Sequence, residues 1–219
     1  MDLSPDRLII DVAVIAIMLL VAFPVHEFAH AYAAYRLGDS TARLFGRLSL
    51  DPIVHFDPVG GTLMAVSVLL GGGIGWAKPT PVNPYNLRGQ HGSAIVSAAG
   101  PLSNLGLAII GGVIFRLLDL SGLQGDAVEF IAQVIFLFVL INLGLMVFNL
   151  LPIPPLDGSK VLYSLLDPQT ERQVRGFLDQ YGLIVLLAVV LLPIVNGETI
   201  LGAIYLNVLE PIAYLLIGR

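Results

Sequence analysis

Three residues of this sequence, His26, Glu27 and His30, form the pattern H-E-x-x-H, whose residue types and spacing suit metal-assisted hydrolysis. Residues four apart share one face of a helix, so both imidazoles can reach the same ion. Glu27 lies one position along and can handle a water molecule at that ion. Zinc at such a site takes two imidazoles and a third protein ligand, and it keeps one position open for water. The pattern therefore predicts a metal centre whose third ligand comes from elsewhere in the chain.

The third ligand has six candidates, which are the two remaining histidines and four acidic residues in apolar surroundings. They are Asp11, His55, His91, Glu129, Asp157 and Glu210. Both histidines fall in polar connecting segments, where a histidine is usually solvated or hydrogen-bonded. Asp11 and Glu129 lie near predicted helix starts, where an acidic side chain interacts favourably with the helix dipole. The role of Glu210 stays open at this stage.

Asp157 differs from the other candidates because it lies in a proline-rich turn, NLLPIPPLDG, which runs from Asn149 to Gly158. Prolines lack a backbone N–H group and prevent a helix from continuing. Gly158 permits a tight backbone that can turn a side chain inward. A half-unwound segment with one carboxylate is a common way for a membrane protein to present a ligand at depth. We therefore favour Asp157, although an Asp in an ordinary turn at the membrane surface has the same sequence pattern.

The elements that must position these residues are membrane-spanning helices. The chain has 219 residues, of which 56% are hydrophobic and 12% charged, and its mean hydropathy is +0.86. Soluble domains contain about 25% charged residues, so this composition predicts an integral membrane protein. A net charge of -5 excludes the basic footprint of a nucleic-acid-binding protein. The absence of Cys excludes disulfides, thiolate zinc sites and cysteine nucleophiles.

Five apolar segments are the predicted crossings, at about 8–37, 93–118, 127–151, 182–195 and 199–217. A further apolar stretch, 59–70, offers 12 residues, whereas a crossing needs at least about 17. If this stretch dips into the membrane and returns, two basic residues lie on one side and nine on the other; if it crosses, the division is seven to four. Lys and Arg accumulate on the cytoplasmic side. We therefore favour five crossings plus a re-entrant or interfacial segment, with the N-terminus outside.

The same topology brings the candidate ligands together. His26 and His30 lie in the second half of the first crossing, and Asp157 follows a later crossing that runs in the same direction. Both ends then reach the cytoplasmic side. An additional crossing between them would place the two ends on opposite faces of a hydrocarbon core about 30 Å thick. The charge count and the metal site therefore select the same topology independently.

The predicted fold is an all-α polytopic membrane protein with about five to six transmembrane helices in a single domain, residues 1–219. Its catalytic core covers about 8–165, and a C-terminal helix pair covers about 180–219. Turn residues and alternating apolar residues at 38–57 predict short β-strands between the first and third apolar segments. The Pro- and Asn-rich segment 77–88 is typical of a loop or edge strand. Segments 77–88 and 40–50 are candidate edges for an extended substrate, and the glycines at 71–73 are candidates to line a water path.

Three motifs resemble the signatures of the site-2 protease family of intramembrane zinc metalloproteases. They are HEFAH at 26–30, AGPLSN at 99–104 and NLLPIPPLDG at 149–158. The segments GRLSLDPIVHFDPVG and GWAKPTPVNPYNLR are similar to those of its compact bacterial and archaeal members. The likeness covers about residues 20–165. Some relatives also contain a PDZ domain, for which this sequence has no corresponding segment.

The resemblance implies that His26, His30 and Asp157 bind one Zn²⁺ ion per chain and that Glu27 is the general base. It further implies that Asn149 steadies the oxyanion or the substrate backbone. Asn104 is a candidate to orient substrate or a ligand, although packing against the catalytic helices explains its motif better than direct chemistry.

The function implied is a zinc metalloendopeptidase that hydrolyses peptide bonds in or near transmembrane segments of membrane-protein substrates, as in regulated intramembrane proteolysis. We expect it in the lipid bilayer of a prokaryotic plasma membrane, with the active site nearer the cytoplasmic side and no nucleic-acid partner. The alternative is a metal-ion transporter or metal-binding membrane scaffold without peptidase activity, because intramembrane His and Asp residues also mark ion pathways. A carrier has no need of Glu27 beside the ligands, and the sequence lacks the repeated halves of many transporters. An assembly factor with a vestigial motif fits poorly with an intact set of site residues.

Overall fold

The structure, a computed structural model, describes residues 5–70, 75–195 and 198–218. Five helices in this part of the chain are long and apolar enough to cross a membrane, which agrees with the five predicted crossings. They are Leu8–Arg36, Gly92–Leu120, Asp126–Asn149, Pro168–Leu191 and Ile200–Ile217. The glycines at 71–73, predicted to line a water path, lie outside the described residues.

The helices and strands follow one another in a simple order. They are α1 (Pro5–Ile17), α2 (Phe23–Arg36), α3 (Thr41–Leu44), α4 (Pro52–His55), α5 (Pro58–Leu69), α6 (Gly92–Leu120), α7 (Asp126–Asn149), α8 (Asp157–Leu165), α9 (Pro168–Leu191), β1 (Pro193–Val195), β2 (Glu198–Thr199), α10 (Ile200–Ile204) and α11 (Glu210–Ile217). Helix α9 begins before the apolar stretch predicted at 182, because the Asp167 carboxylate accepts hydrogen bonds from the backbone N–H groups of Gln169 and Thr170.

The first span is one continuous helix with a wider π-helical turn, Met18–Ala22, between α1 and α2. Pro24 follows this turn and has no N–H group to donate to the carbonyl four residues earlier. A local widening of the helix is one way to accommodate such a proline. The widened turn ends just before the stretch of α2 that carries His26 and His30.

Helix α5 is apolar but shorter than a membrane-crossing helix. Its 12 residues extend about 18 Å, well short of a hydrocarbon core of about 30 Å. Trp76 lies so close to the start of α5 that a methyl group on Gly60 would lie 2.2 Å from the Trp76 carbonyl oxygen. The N–H of Lys78 then donates to the carbonyl oxygen of His55, just before α5, at 2.9 Å. Residues 76–78 therefore lie beside the start of α5, as a re-entrant segment at 59–76 would require.

The short β-strands predicted between the first and third apolar segments are wrong. The described residues between α2 and α6 form α3, α4, α5, a 3₁₀ turn at Pro84–Asn86 and irregular connections. Side chains take up backbone N–H groups that a strand ladder would use, as Asp51 does for Ile53, and prolines at 79, 81 and 84 have none to offer. Segment 40–50 is therefore no strand edge. In the part of the chain that the structure describes, two short strands, β1 and β2, pair antiparallel between α9 and α10.

Helix α6 is the centre of the fold, because α2, α7, α8 and α11 all pack against it. A buried apolar cluster joins α6, α7 and the last span. It consists of Ala108, Val139, Leu143, Met146, Leu209 and Ala213. At Gly111 the helices approach so closely that a methyl group would lie 2.9 Å from the Phe138 ring. This packing holds α6 against α7 and the last span.

Candidate metal centre

Helix α2 places two imidazoles on one face, one turn apart. His26 and His30 are both buried, and their Nε2 atoms lie 3.0 Å from each other. The spacing of four residues brings the rings together, as the sequence predicted. Both Nε2 atoms are therefore close enough to bind the same ion.

Asp157 reaches the same space from the first residue of α8. Its Oδ2 lies 3.2 Å from Nε2 of His26 and 3.0 Å from Nε2 of His30. Gly158 allows this approach, because a methyl group there would lie 2.2 Å from the carbonyl oxygen of Leu150. The proline-rich turn thus folds the chain back on the end of α7 and turns the carboxylate inward.

The three ligand atoms have a separation that suits zinc. Their mutual distances are 3.0 to 3.2 Å, and ligands at about 2.0–2.1 Å from a tetrahedral zinc ion lie about 3.3 Å from one another. A small outward movement of the three side chains would meet that geometry. Two imidazoles and one carboxylate also form a common ligand set of catalytic zinc sites.

The far side of each imidazole ring fixes the position of its proton. Nδ1 of His26 lies 2.6 Å from Oδ1 of Asn104, and Nδ1 of His30 lies 2.7 Å from the carbonyl oxygen of Val96. Both oxygens can only accept, so each Nδ1 donates a proton and each neutral ring presents a lone pair at Nε2. Two lone pairs beside a carboxylate oxygen repel one another unless a cation lies between them. The residues present therefore fit a bound zinc ion.

Three residues of helix α6, spaced four apart, lie against the two imidazoles. Val96 and Asn104 accept the two ring protons, and Gly100 lies between them. A methyl group at Gly100 would lie 2.4 Å from Nε2 of His30 and 2.6 Å from Nε2 of His26. These distances are close to a zinc–nitrogen bond of about 2.0–2.1 Å. The missing side chain of Gly100 therefore leaves the space that an ion between the ligands needs, a role that the sequence motif alone did not reveal.

Glu27 lies on the wall of a cavity of about 870 Å³ that also contains the three ligands. Its Oε2 accepts a hydrogen bond from the backbone N–H of Thr80 at 2.7 Å, and the Thr80 hydroxyl donates to the Glu27 carbonyl oxygen at 3.0 Å. These bonds orient the carboxylate from one side. The sequence did not predict a role for Thr80, because a backbone N–H group has no sequence motif. The flanking prolines were a usable signal, since they leave Thr80 as the one backbone N–H donor between residues 78 and 82.

Asn149 and Lys160 line the same cavity. Nδ2 of Asn149 donates to the carbonyl oxygen of Leu145 at 3.0 Å, and Nζ of Lys160 lies 3.9 Å from Oδ1 of Asp157. Asn104 is fully buried, and it contacts His26 from behind the ligand. Asn149 therefore lies on the cavity wall, whereas Asn104 contacts the Nδ1 side of His26, away from the space between the ligand atoms.

The buried Asp39 carboxylate holds the Pro- and Asn-rich segment 77–88 beside the site. It accepts hydrogen bonds from the N–H of Asn83 at 2.7 Å and from Nδ2 of Asn86 at 3.0 Å, and also from Thr41. Burial alone would raise the pKa of the Asp39 carboxyl. The hydrogen bonds from Thr41, Asn86 and Asn83 together lower it by more than burial raises it, so this pKa lies below its ordinary value.

Arg47 holds the other end of segment 77–88. Its buried guanidinium donates to the carbonyl oxygens of Val54 and Lys78. The nearby His55 is also buried, and its Nε2 donates to the carbonyl oxygen of Ser49 at 2.7 Å. His55 thus has a structural hydrogen bond and lies away from the metal ligands.

The other candidates for the third ligand also lie apart from the cluster. Among the described residues, the one group of His, Asp and Glu whose ligand atoms converge is His26, His30 and Asp157. The candidates outside it are Asp11, buried on α1; His91, exposed at the start of α6; Glu129, exposed in the first turn of α7; and Glu210, half-buried in the last span. Asp157 is therefore the acidic partner of the two histidines.

Comparisons with known proteins agree with this geometry. The model of peptidase family M50 matches residues 13–122 and 120–193. The chain is 40% identical over 183 residues to "Putative zinc metalloprotease YwhC" of Bacillus subtilis (strain 168), an alignment that covers 82% of this chain and 81% of that protein. It is 35% identical over 180 residues to "Putative zinc metalloprotease Rip2" of Mycobacterium tuberculosis (H37Rv), which covers 81% of this chain and 66% of that protein. No solved structure matches the chain.

Proposed function

The chain belongs to peptidase family M50, and we propose that His26, His30 and Asp157 hold the zinc ion of its active site. It is an intramembrane zinc metalloprotease. The observation that carries the residue assignment is the convergence of two imidazole nitrogens and one carboxylate oxygen within 3.2 Å of one another. We propose one ion per chain, in a single membrane-embedded domain of residues 1–219 whose catalytic core covers about 8–165.

Glu27 is the general base of the proposed reaction. When bound, zinc supplies a polarised scissile carbonyl and an acidified water molecule. Glu27 accepts the proton of the attacking water and returns it to the leaving amine as the peptide bond breaks. The Thr80 N–H donates to Oε2 of Glu27 and restrains the carboxylate that performs this task. In this proposal Asn149 steadies the oxyanion or the substrate backbone, which its position on the wall of the same cavity supports.

The substrate class is a transmembrane segment of another membrane protein or peptide. A helix engages its own peptide groups in hydrogen bonds, so the scissile segment must unwind before its carbonyl can reach the ligands. The cavity of about 870 Å³ has apolar walls from residues such as Phe23 and Phe148 beside its polar centre. Such walls favour an apolar stretch of chain over a soluble, charged peptide.

The location that fits is a prokaryotic plasma membrane with the active site nearer the cytoplasm. With five crossings and a re-entrant α5, nine of the 11 Lys and Arg residues lie on the side where α2 and α7 end. Basic residues of this kind mark the cytoplasmic side. The relatives named above come from bacteria.

Replacing Glu27 with glutamine separates the catalytic role from metal binding. We expect about one zinc ion per chain in both the wild type and Glu27→Gln, with cleavage of a generic transmembrane peptide in detergent by the wild type alone. The matched control is Glu129→Gln, which removes an exposed acid of α7 and should leave both measurements unchanged. Cleavage by Glu27→Gln at the wild-type rate would contradict the base assignment. Zinc without cleavage by the wild type would favour the metal-carrier alternative.

A further inference from the structure

We propose that Asn142 is a positioning residue for the metal centre, acting through Asn104 on the tautomer of His26. The inference rests on the proposed zinc site and extends it by one helix, from α2 through α6 to α7. Neither a sequence motif nor exposure to substrate points to Asn142, which lies in the middle of an apolar span. Its contacts with neighbouring helices do.

Asn142 and Asn104 are both fully buried, and they bond directly to each other. Nδ2 of Asn142 donates to the carbonyl oxygen of Phe138 at 2.9 Å, and its Oδ1 accepts from Nδ2 of Asn104 at 2.9 Å. Oδ1 of Asn104 accepts the Nδ1 proton of His26 at 2.6 Å. Burying two amides within a membrane domain is unfavourable unless their groups are paired. Here the pairing forms one chain that ends at a metal ligand.

This series of hydrogen bonds fixes the orientation of each amide side chain in turn. The Phe138 carbonyl can only accept, so it selects the orientation of Asn142 in which Nδ2 faces it and Oδ1 faces Asn104. That oxygen selects the orientation of Asn104 in which Nδ2 faces α7 and Oδ1 faces His26. The Asn104 oxygen in turn requires the proton on Nδ1 of His26. Nε2 therefore keeps the lone pair that a zinc ion needs.

Without the acceptor on Asn142, Asn104 loses the group that fixes its orientation. The remaining acceptor for Nδ2 of Asn104 is the carbonyl oxygen of Ala22, at a marginal 3.5 Å. A flipped Asn104 would present its NH₂ group to Nδ1 of His26 and stabilise the tautomer with the proton on Nε2. That proton would point into the space between the ligands, toward Oδ2 of Asp157 at 3.2 Å, and would oppose zinc binding.

The central experiment measures the zinc dissociation constant of purified, full-length variants in detergent by competition with a chelator. We expect Asn142→Leu to weaken zinc binding about 10- to 100-fold, the usual effect of losing a partner behind a metal ligand. Asn142→Asp keeps an acceptor for Asn104 and should stay within about threefold of the wild type. The matched control is Asn207→Leu, because Asn207 also donates to the carbonyl four residues earlier, at 2.8 Å, but on an exposed face of the last span. It should leave zinc affinity unchanged.

A double variant distinguishes positioning from packing. Asn104→Asp presents an acceptor to His26 in either orientation, so adding Asn142→Leu to it should cost only a few-fold in zinc affinity. Equal losses from Asn142→Leu in the wild-type and Asn104→Asp backgrounds would show that Asn142 acts through packing and would overturn the proposal. Unchanged affinity in Asn142→Leu alone would overturn it as well.

A second readout is independent of zinc. Nitrogen NMR of histidine-labelled, metal-free protein should show the Nδ1–H tautomer of His26 in the wild type and a larger Nε2–H fraction in Asn142→Leu. An unchanged tautomer would refute the relay. If the wild type bound no zinc at all, the proposed metal centre would fail, while this NMR measurement would still decide whether Asn142 orients His26.

Discussion

Replacing Gly100 with alanine should remove zinc from the protein while leaving its helix intact. The added methyl group would lie 2.4 Å from Nε2 of His30 and 2.6 Å from Nε2 of His26, in the space between the two ligands. An ordinary contact begins at 3.4 Å, so the methyl group and the nearer nitrogen must separate by about 1 Å. Zinc–ligand distances tolerate only about 0.2 Å of variation. The methyl group and the ion therefore exclude each other.

The expected effect on zinc affinity is large, and the effect on stability is small. Loss of a partner behind the ligands weakens metal binding about 10- to 100-fold, so obstruction of the site itself should weaken it at least about 100-fold. Alanine is better than glycine inside a helix by about 0.5–1 kcal/mol, which offsets part of the about 1–3 kcal/mol that overpacking typically costs. The variant should fold.

The assay is zinc per chain at a fixed free zinc concentration, with thermal unfolding measured on the same samples. The matched control is Gly106→Ala on the same helix, where a new methyl group would meet nothing within 4 Å. It should bind zinc as the wild type does. Wild-type zinc affinity in a folded Gly100→Ala variant would refute the placement of the ion between His26, His30 and Asp157.

Three further predictions follow from the same geometry. His30→Ala should lose zinc whereas His91→Ala should keep about one ion per chain, since His91 is exposed and apart from the cluster; equal zinc contents by elemental analysis would contradict the ligand assignment. Gly158→Ala should lower zinc affinity by moving Asp157, because its methyl group would lie 2.2 Å from the Leu150 carbonyl oxygen, and an unchanged dissociation constant would count against that turn. The lowered pKa of Asp39 means that this carboxylate stabilises the fold above its unfolded pKa of about 3.9 and loses that contribution as pH falls through the folded pKa. Melting temperatures should therefore fall more steeply below about pH 4 in the wild type than in Asp39→Asn, and parallel curves would contradict this.

The sequence predicted the parts of the site that depend on periodicity and charge. His26 and His30 are four residues apart on a helix, so their shared face followed directly from the spacing. Asp157 followed from a proline-rich turn and from a topology that brings the ends of two spans to one side. In the structure Nε2 of both histidines and Oδ2 of Asp157 lie within 3.2 Å of one another.

The parts that the sequence did not predict depend on which groups meet across helices. Segment 38–57 alternates as a strand does, yet side chains such as Asp51 take up its backbone N–H groups locally and short helices result. Gly100 belongs to a small-residue motif whose general use is helix packing, and its nearness to both imidazoles is visible only once α2 and α6 are placed. The polar side chain of Asn142 in an apolar span was a usable signal, but its partner on α6 could not be read from spacing.

The most direct test of the metal centre is X-ray absorption at the zinc edge of the purified wild-type protein. The geometry predicts two imidazole nitrogens and at least one carboxylate oxygen at about 2.0–2.1 Å from the ion. In Asp157→Asn the two imidazoles should remain and the carboxylate contribution should be lost or weakened. A zinc environment with fewer than two imidazoles in the wild type would contradict the assignment of His26, His30 and Asp157.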